Sequence, residues 1–195
     1  MLEHNGKKYA RVSDILSMFC DFSAIDPKVL ERKRILGGNV HEAIKADMNH
    51  DFPILNSSEI GYFNSYMRWM STIKPKVICS EKRYFDDCRM LTGQIDTLAL
   101  LPNQSLPDLV DWKCTYSENA VTWEMQGDMY DQLLELNGIK TSGRYLFIKL
   151  NQTGGFPRVC TYQRNQNTRA KCNQAIEKFW SENKNLDNNS LLKLE

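Results

Sequence analysis

Apolar positions along this chain change period twice. Over residues 27–48 and 59–72 they recur every three or four places, with Val40, Ile44 and Met48 on one stripe and Ile60, Phe63, Met67 and Met70 on another, which predicts two amphipathic helices. Asp26 and Pro27 mark the start of the first as N-cap and first-turn proline, and the Gly37–Gly38 pair is expected to break or bend it. A shorter helix is expected over 12–19, with Ser13 as its cap. The period then shortens. Residues 77–85, 90–101 and 106–114 are apolar and β-branched runs separated by turn-like Asp-Asp-Cys and Pro-Asn-Gln-Ser, which predicts three hairpin-connected strands. A helix over 120–137 should end at Gly138, two strands over 144–150 and 158–162 should meet across Gly154–Gly155, and a last helix should cover 166–183. That order predicts an α/β fold with a central mixed β-sheet flanked by helices. A single unit over 1–195 is expected: N-terminal helices at 12–72, a core at 76–164 and a closing helix at 165–184.

With 195 residues, 42% of them hydrophobic and 25% charged, the chain can build one sizeable core. It begins with no long apolar leader and nowhere runs about 18 apolar residues together, so a cytoplasmic protein with no membrane partner is expected. Six cysteines without a C-x-x-C pair argue against a zinc ribbon and against a disulfide framework. The net charge of +1 hides a segregation. Residues 51–137 hold 13 acids against 7 bases, whereas 140–184 hold nine bases (Lys140, Arg144, Lys149, Arg158, Arg164, Arg169, Lys171, Lys178, Lys184) against Glu177 and Glu182. An acidic centre beside a basic flank suits a protein that holds divalent cations and grips a polyanion, with Arg164, Arg169 and Lys171 as candidate nucleic-acid contacts.

Candidate chemistry concentrates on two strands. Side chains alternate along a strand, so Asp111 and Lys113 project from one face, and two charges among apolar neighbours call for pairing or a metal. Asp96 lies fifteen residues earlier on the preceding strand, close enough across a hairpin for both carboxylates to reach one ion. Two hard carboxylates suit Mg²⁺ or Mn²⁺ better than zinc, and Lys113 beside them could stabilise charge on a phosphoryl transition state.

The combination of Gly38 and His41 (G-x-x-H), Gly93 and Asp96 (G-x-x-D), Asp111-Trp112-Lys113 (D-x-K), and Gln126 and Tyr130 (Q-x-x-x-Y) resembles the RecB-like, lambda-exonuclease-like branch of the PD-(D/E)XK nucleases. The likeness implies a metal-dependent DNA nuclease, more an exonuclease for end processing, recombination or repair than a site-specific cutter. A structure- or site-specific endonuclease, or a non-cleaving nucleic-acid-binding module on the same fold, are the alternatives. It also implies roles: Asp96, Asp111 and the Trp112 carbonyl as metal ligands with His41 or its neighbour Glu42, Lys113 on the attacking water, and Gln126 and Tyr130 steering phosphate or lysine. Glu81 matches a variable acid near the site. The partner implied is DNA, as linear duplex or single-stranded ends, with a homo-oligomer or a recombination protein left open. Only Cys160 and Cys172 lie downstream, so no iron–sulfur cluster is expected. Pro107-Asp108 is a decoy, since Asp108 falls on the strand face opposite Asp111.

Overall fold

The computed structural model describes residues 1–115 and 117–183; Lys184, counted above in the basic flank and the closing helix, lies outside the described residues. Among the described residues seven strands form one sheet in the order β1-β2-β4-β5-β6-β7, with β3 pairing β4, and five α-helices lie against it. The α/β class with a mixed central sheet flanked by helices is what the sequence pattern predicts. The elements are β1 (Leu2–His4), β2 (Lys7–Arg11), α1 (Val12–Leu16), α2 (Pro27–Met48), α3 (Ser57–Ile73), β3 (Lys76–Asp86), β4 (Leu91–Leu100), β5 (Asp108–Lys113), α4 (Ala120–Leu136), β6 (Arg144–Lys149), β7 (Arg158–Gln163) and α5 (Gln166–Glu182). Strands β3, β4 and β5 run as antiparallel neighbours, α4 crosses over to bring β6 parallel to β5, and β7 returns antiparallel.

Besides α1, which is capped by Arg11 and holds Ser13 inside it, two features depart from the sequence pattern. No element is expected before Val12, yet residues 2–11 form a hairpin whose second strand pairs parallel with the start of β4. Only Tyr9 and Ala10 of β2 are buried, too few for a periodic signal, but Asn5 and Gly6 both take positive φ (50° and 71°), as a tight hairpin turn demands. The second departure is α2, which runs unbroken through Gly37–Gly38. Each glycine costs a helix about 1 kcal/mol. Asp26, which accepts from the Lys28 amide, and the burial of Val40, Ala43 and Ile44 further along outweigh that cost.

The sheet separates two apolar clusters. One, under α1, α4 and α5, includes Leu91, Ile95, Leu98, Met129, Leu133, Tyr145, Phe147 and Ile176. The other, under α2 and α3, includes Val40, Ile44, Tyr66, Trp69, Val110, Trp112 and Ile148. Two glycines let α4 lie close on its face. A Cβ at Gly93 would meet Tyr130 ring atoms at 2.6 and 2.8 Å, and one at Gly127 would meet the Tyr145 ring at 2.4 Å.

Three arginines of the basic flank face the acidic centre directly. Arg144 pairs with Asp108 at 2.5 Å, Arg164 with Asp131 at 2.6 Å and Glu135 at 3.0 Å, and Arg169 with Asp128, Asp131 and Glu135 at 3.0–3.4 Å. Asp108, Asp128 and Asp131 are fully buried, so these pairs join α4 to α5 and β5 to β6.

Candidate active site

The site forms where β4 and β5 part. Their ladder runs only from Thr97↔Val110 to Ala99↔Asp108, and past it the two strands diverge. The Asp96 carboxylate enters the gap and accepts the Trp112 amide at 3.0 Å, a side chain taking the place of a ladder bond. The Trp112 carbonyl, on the other side of the same residue, accepts from His41 Nε2 at 2.8 Å. His41 stands on the buried stripe of α2, and its Nδ1 lies 3.5 Å from both Glu81 Oε1 and Asp96 Oδ2. Ligand atoms of His41, Glu81 and Asp96 all fall within 4.8 Å of one another, a set able to hold a metal ion.

Glu81 reaches this set through an unusual backbone. It sits in β3 opposite Asp96 with φ +49°, a left-handed conformation that costs a non-glycine residue about 1 kcal/mol or more. Its carboxylate accepts from Gln94 Nε2 at 2.5 Å, and Gln94 Oε1 in turn accepts from Arg83 at 2.5 Å. Sequence reasoning does not single out Arg83 or give Gln94 a role; a polar Gln94 on the same strand face as Asp96 was the available signal.

Asp111 and Lys113 meet α4 a few ångströms away. Lys113 Nζ lies 2.5 Å from Asp111 Oδ1, donates to Gln126 Oε1 at 3.0 Å, and stands 5.3 Å from the centre of the Phe147 ring. Gln126 Nε2 donates to Asp111 Oδ2 at 2.7 Å and lies 3.3 Å from the Tyr130 hydroxyl. One turn of helix thus sets Gln126 as a bridge that fixes both charged groups, and Tyr130 as its backstop. Asp111 Oδ1 is met by the Lys113 ammonium alone among the contacts described, which leaves a lone pair for a further ligand.

The groups in this space perturb one another. Burial opposes an imidazolium at His41, but Asp96, Glu81 and Asp111 outweigh it and raise the pKa from 6.5 to about 9. Burial, and then the neighbouring Asp111, lift Asp96 from 3.8 to about 7 against the pull of His41 and Lys113. Burial also works on Glu81, yet the hydrogen bonds from His41 and Gln94 hold its carboxyl below the usual range. Burial together with Asp111 and Asp96 pushes the Tyr130 hydroxyl far above its ordinary value.

The structure therefore brings His41, Glu81, Asp96, Asp111, the Trp112 carbonyl, Lys113, Gln126 and Tyr130 together. Glu42 points outward, 71% exposed and paired with Lys45. Asp108 lies on the opposite face of β5 from Asp111. Arg164 and Arg169, expected at the nucleic-acid surface, turn their guanidiniums toward buried acids on the far side of α4, where leaving Asp128 and Asp131 unpaired would be costly. Lys171 is exposed on α5 beside Met18, Phe19 and Val121, away from the cluster. The oxygen-rich donor set with one imidazole fits Mg²⁺ or Mn²⁺.

No family model matches the chain, and no curated protein matches it in sequence. Its fold is like that of an alkaline exonuclease (LHK-Exo) from Laribacter hongkongensis, with TM-score 0.50 and 11% identity over 91% of this chain and 87% of that one. The same protein in complex with dAMP gives 0.49 at 13% identity, over 91% and 87%. The structure of SSO0001 gives 0.40 at 9% identity, over 92% and 78%. At these identities the first likeness is one of fold. Among the described residues no helix is long and apolar enough to cross a membrane.

Proposed function

We propose that this chain is a Mg²⁺- or Mn²⁺-dependent deoxyribonuclease that hydrolyses phosphodiester bonds from DNA ends, an exonuclease of end processing, recombination or repair. The observation that carries the reading is the half-buried gap between β4 and β5, where carboxylates of three strands, an imidazole and a lysine converge on one space. The fold shared with an alkaline exonuclease agrees with it.

In this reading Asp96, Glu81 and His41, with Asp111 and the Trp112 carbonyl, hold the metal. A bound divalent cation would supply Lewis acidity at the phosphoryl group and a lower pKa for its water. The remaining work falls to side chains. An ammonium has three donors, and Lys113 directs one to Gln126 while Asp111 fixes its position, so a donor remains to orient the attacking water or to meet the developing charge on phosphate. Gln126 keeps the lysine and Asp111 in register, and Tyr130, held neutral by its surroundings, supports Gln126 as a hydroxyl.

The test is incubation of linear and circular DNA, single- and double-stranded, with Mg²⁺, Mn²⁺ or EDTA. Linear DNA should shorten with either metal and survive in EDTA. Survival with both ions, or degradation in EDTA, would overturn the proposal; nicking of closed circles would replace the exonuclease by an endonuclease.

A further inference from the structure

Lys113 does not stand alone. In the sheet register it lies directly opposite Lys149 on β6, and Lys149 directly opposite Arg158 on β7. Opposed residues on neighbouring strands share a face at about 4.8 Å per strand, so three cations form a row across the strand ends, starting at the candidate site. Between the last two sits the carboxylate of Glu118, from the loop before α4, 3.6 Å from Lys149 and 3.1 Å from Arg158. Beyond the row opens a cleft of about 620 Å³ lined by Lys33, Tyr62, Lys149, Gln152, Phe156 and Arg158.

The wall that carries Phe156 is built to stay put. The Asn151 amide donates to Ser65 of α3 at 2.9 Å, Gly154 takes φ +81° and donates to the Asn151 carbonyl at 3.1 Å, and Gln152 presses so closely on α3 that a Cβ at Gly61 would lie 1.7 Å from its carbonyl oxygen. On this fixed loop Phe156 remains 49% exposed. An exposed aromatic ring on an anchored loop, beside a row of cations, has the parts of a stacking platform for a bared base, with partners for the phosphates close by.

Resting on the nuclease reading, we propose that this cleft seats a single DNA strand leading away from the scissile phosphate: its phosphates replace Glu118 on Lys149 and Arg158, and a base stacks on Phe156. Glu118 occupies the anion position in the free protein and yields it. The pairs of the basic flank differ in just this respect. Arg158 is 70% exposed and meets a loop carboxylate, a weak surface pair, whereas Arg164 serves an acid with no exposure at all. A duplex has no bared base to offer the ring, so the seat is specific for a single strand.

The test is fluorescence anisotropy of a labelled single-stranded oligodeoxynucleotide and a blunt duplex with the full chain in EDTA, for wild type, Phe156→Ala, Phe156→Trp, Arg158→Ala and Glu118→Gln, with DNA degradation followed in parallel in Mg²⁺ or Mn²⁺. Phe156→Ala should weaken single-strand binding about 5- to 150-fold and leave the duplex alone, while Phe156→Trp keeps the affinity. Arg158→Ala should lower the slope of log affinity against log salt by about 0.7, and Glu118→Gln should tighten binding. Unchanged single-strand affinity in Phe156→Ala and Arg158→Ala, or an equal loss on the duplex, would overturn the seat. The two readings separate: degradation with unchanged affinities removes only the cleft, and the expected affinity losses without degradation by wild type remove only the nuclease. Melting temperatures equal to wild type exclude misfolding at these exposed positions.

Discussion

If the cluster holds a divalent cation, binding must displace protons, and the structure sets how many. His41, with a pKa of about 9, and Asp96, at about 7, are both protonated in the metal-free protein at pH 6, yet an ion needs a bare Nδ1 and a bare carboxylate. About two protons should therefore leave per ion bound near pH 6, and about one, from His41, near pH 8. The slope of log affinity against pH should fall from about 2 to about 1 over that range. Stability follows the same protons. Both pKa values are raised above the ordinary 6.5 and 3.8, so each group contributes stability that is complete below its ordinary value and lost as pH climbs through its folded one. In these two groups the metal-free protein weakens from about pH 4 to pH 9, and Mn²⁺ should raise the melting temperature more at pH 8.5 than at pH 6. Calorimetric titration with Mn²⁺ in two buffers of different ionisation enthalpy counts the protons directly, and His41→Gln should remove the one released at pH 8. Zero protons released by wild type at pH 8, or an unchanged count in His41→Gln, would refute the assignment of His41 as a ligand.

Lys113→Ala should lower turnover about 10²- to 10³-fold while Mn²⁺ still binds, since it removes a charge aimed at the transition state; wild-type turnover in a gel assay would reject that role. Gly93→Ala drives a methyl into Tyr130 and Leu133, which should cost about 1–3 kcal/mol and lower the melting temperature by about 2–12 °C in calorimetry. Gly61→Ala meets a backbone carbonyl, which cannot rotate away as a ring can, so its loss should be the larger of the two; the reverse order would show that the 151–157 loop gives way. Arg164→Ala should cost about 1–3 kcal/mol by denaturant unfolding, because it removes two charge-assisted hydrogen bonds from the buried Asp131, which keeps Arg169 at 3.3 Å, and leave DNA affinity and its salt slope alone. A flattened slope would return Arg164 to the nucleic-acid surface.

From Pro27 onward most elements could be read in the sequence, because the two apolar clusters impose period 3.6 on α3 and α4 and near-continuous apolar runs on β4, β5 and β6. The first hairpin could not, for it buries only Tyr9 and Ala10, although Asn5-Gly6 carried its turn chemistry in plain view. At the site, Asp96, Asp111 and Lys113 show themselves through strand parity, while Gln126 and Tyr130, one helical turn apart, take their roles from the resemblance. Glu81 enters only through the family resemblance, and its left-handed backbone is not legible at all, since nothing in its residue type announces a positive φ. Nor does charge counting show where a cation points. Asp128, Asp131 and Glu135 fall on one face of α4 at helical spacing, and that pattern, compared with Arg164 and Arg169, held the clue to their pairing.

Trp112 has its amide and carbonyl committed to Asp96 and His41, while its indole donates to Thr97 at 3.0 Å and stands edge-on between Tyr66 and Trp69, 5.1 and 5.4 Å away. The two peptide groups of Trp112, which set the distance between an acid and an imidazole, are thus held by an aromatic vice on α3. An activity screen of random variants should return hits at Tyr66 and Trp69, which have no line of sight to the chemistry. Anyone transplanting the D-x-K strand into a different scaffold would have to carry both jaws of that vice along with the charged residues.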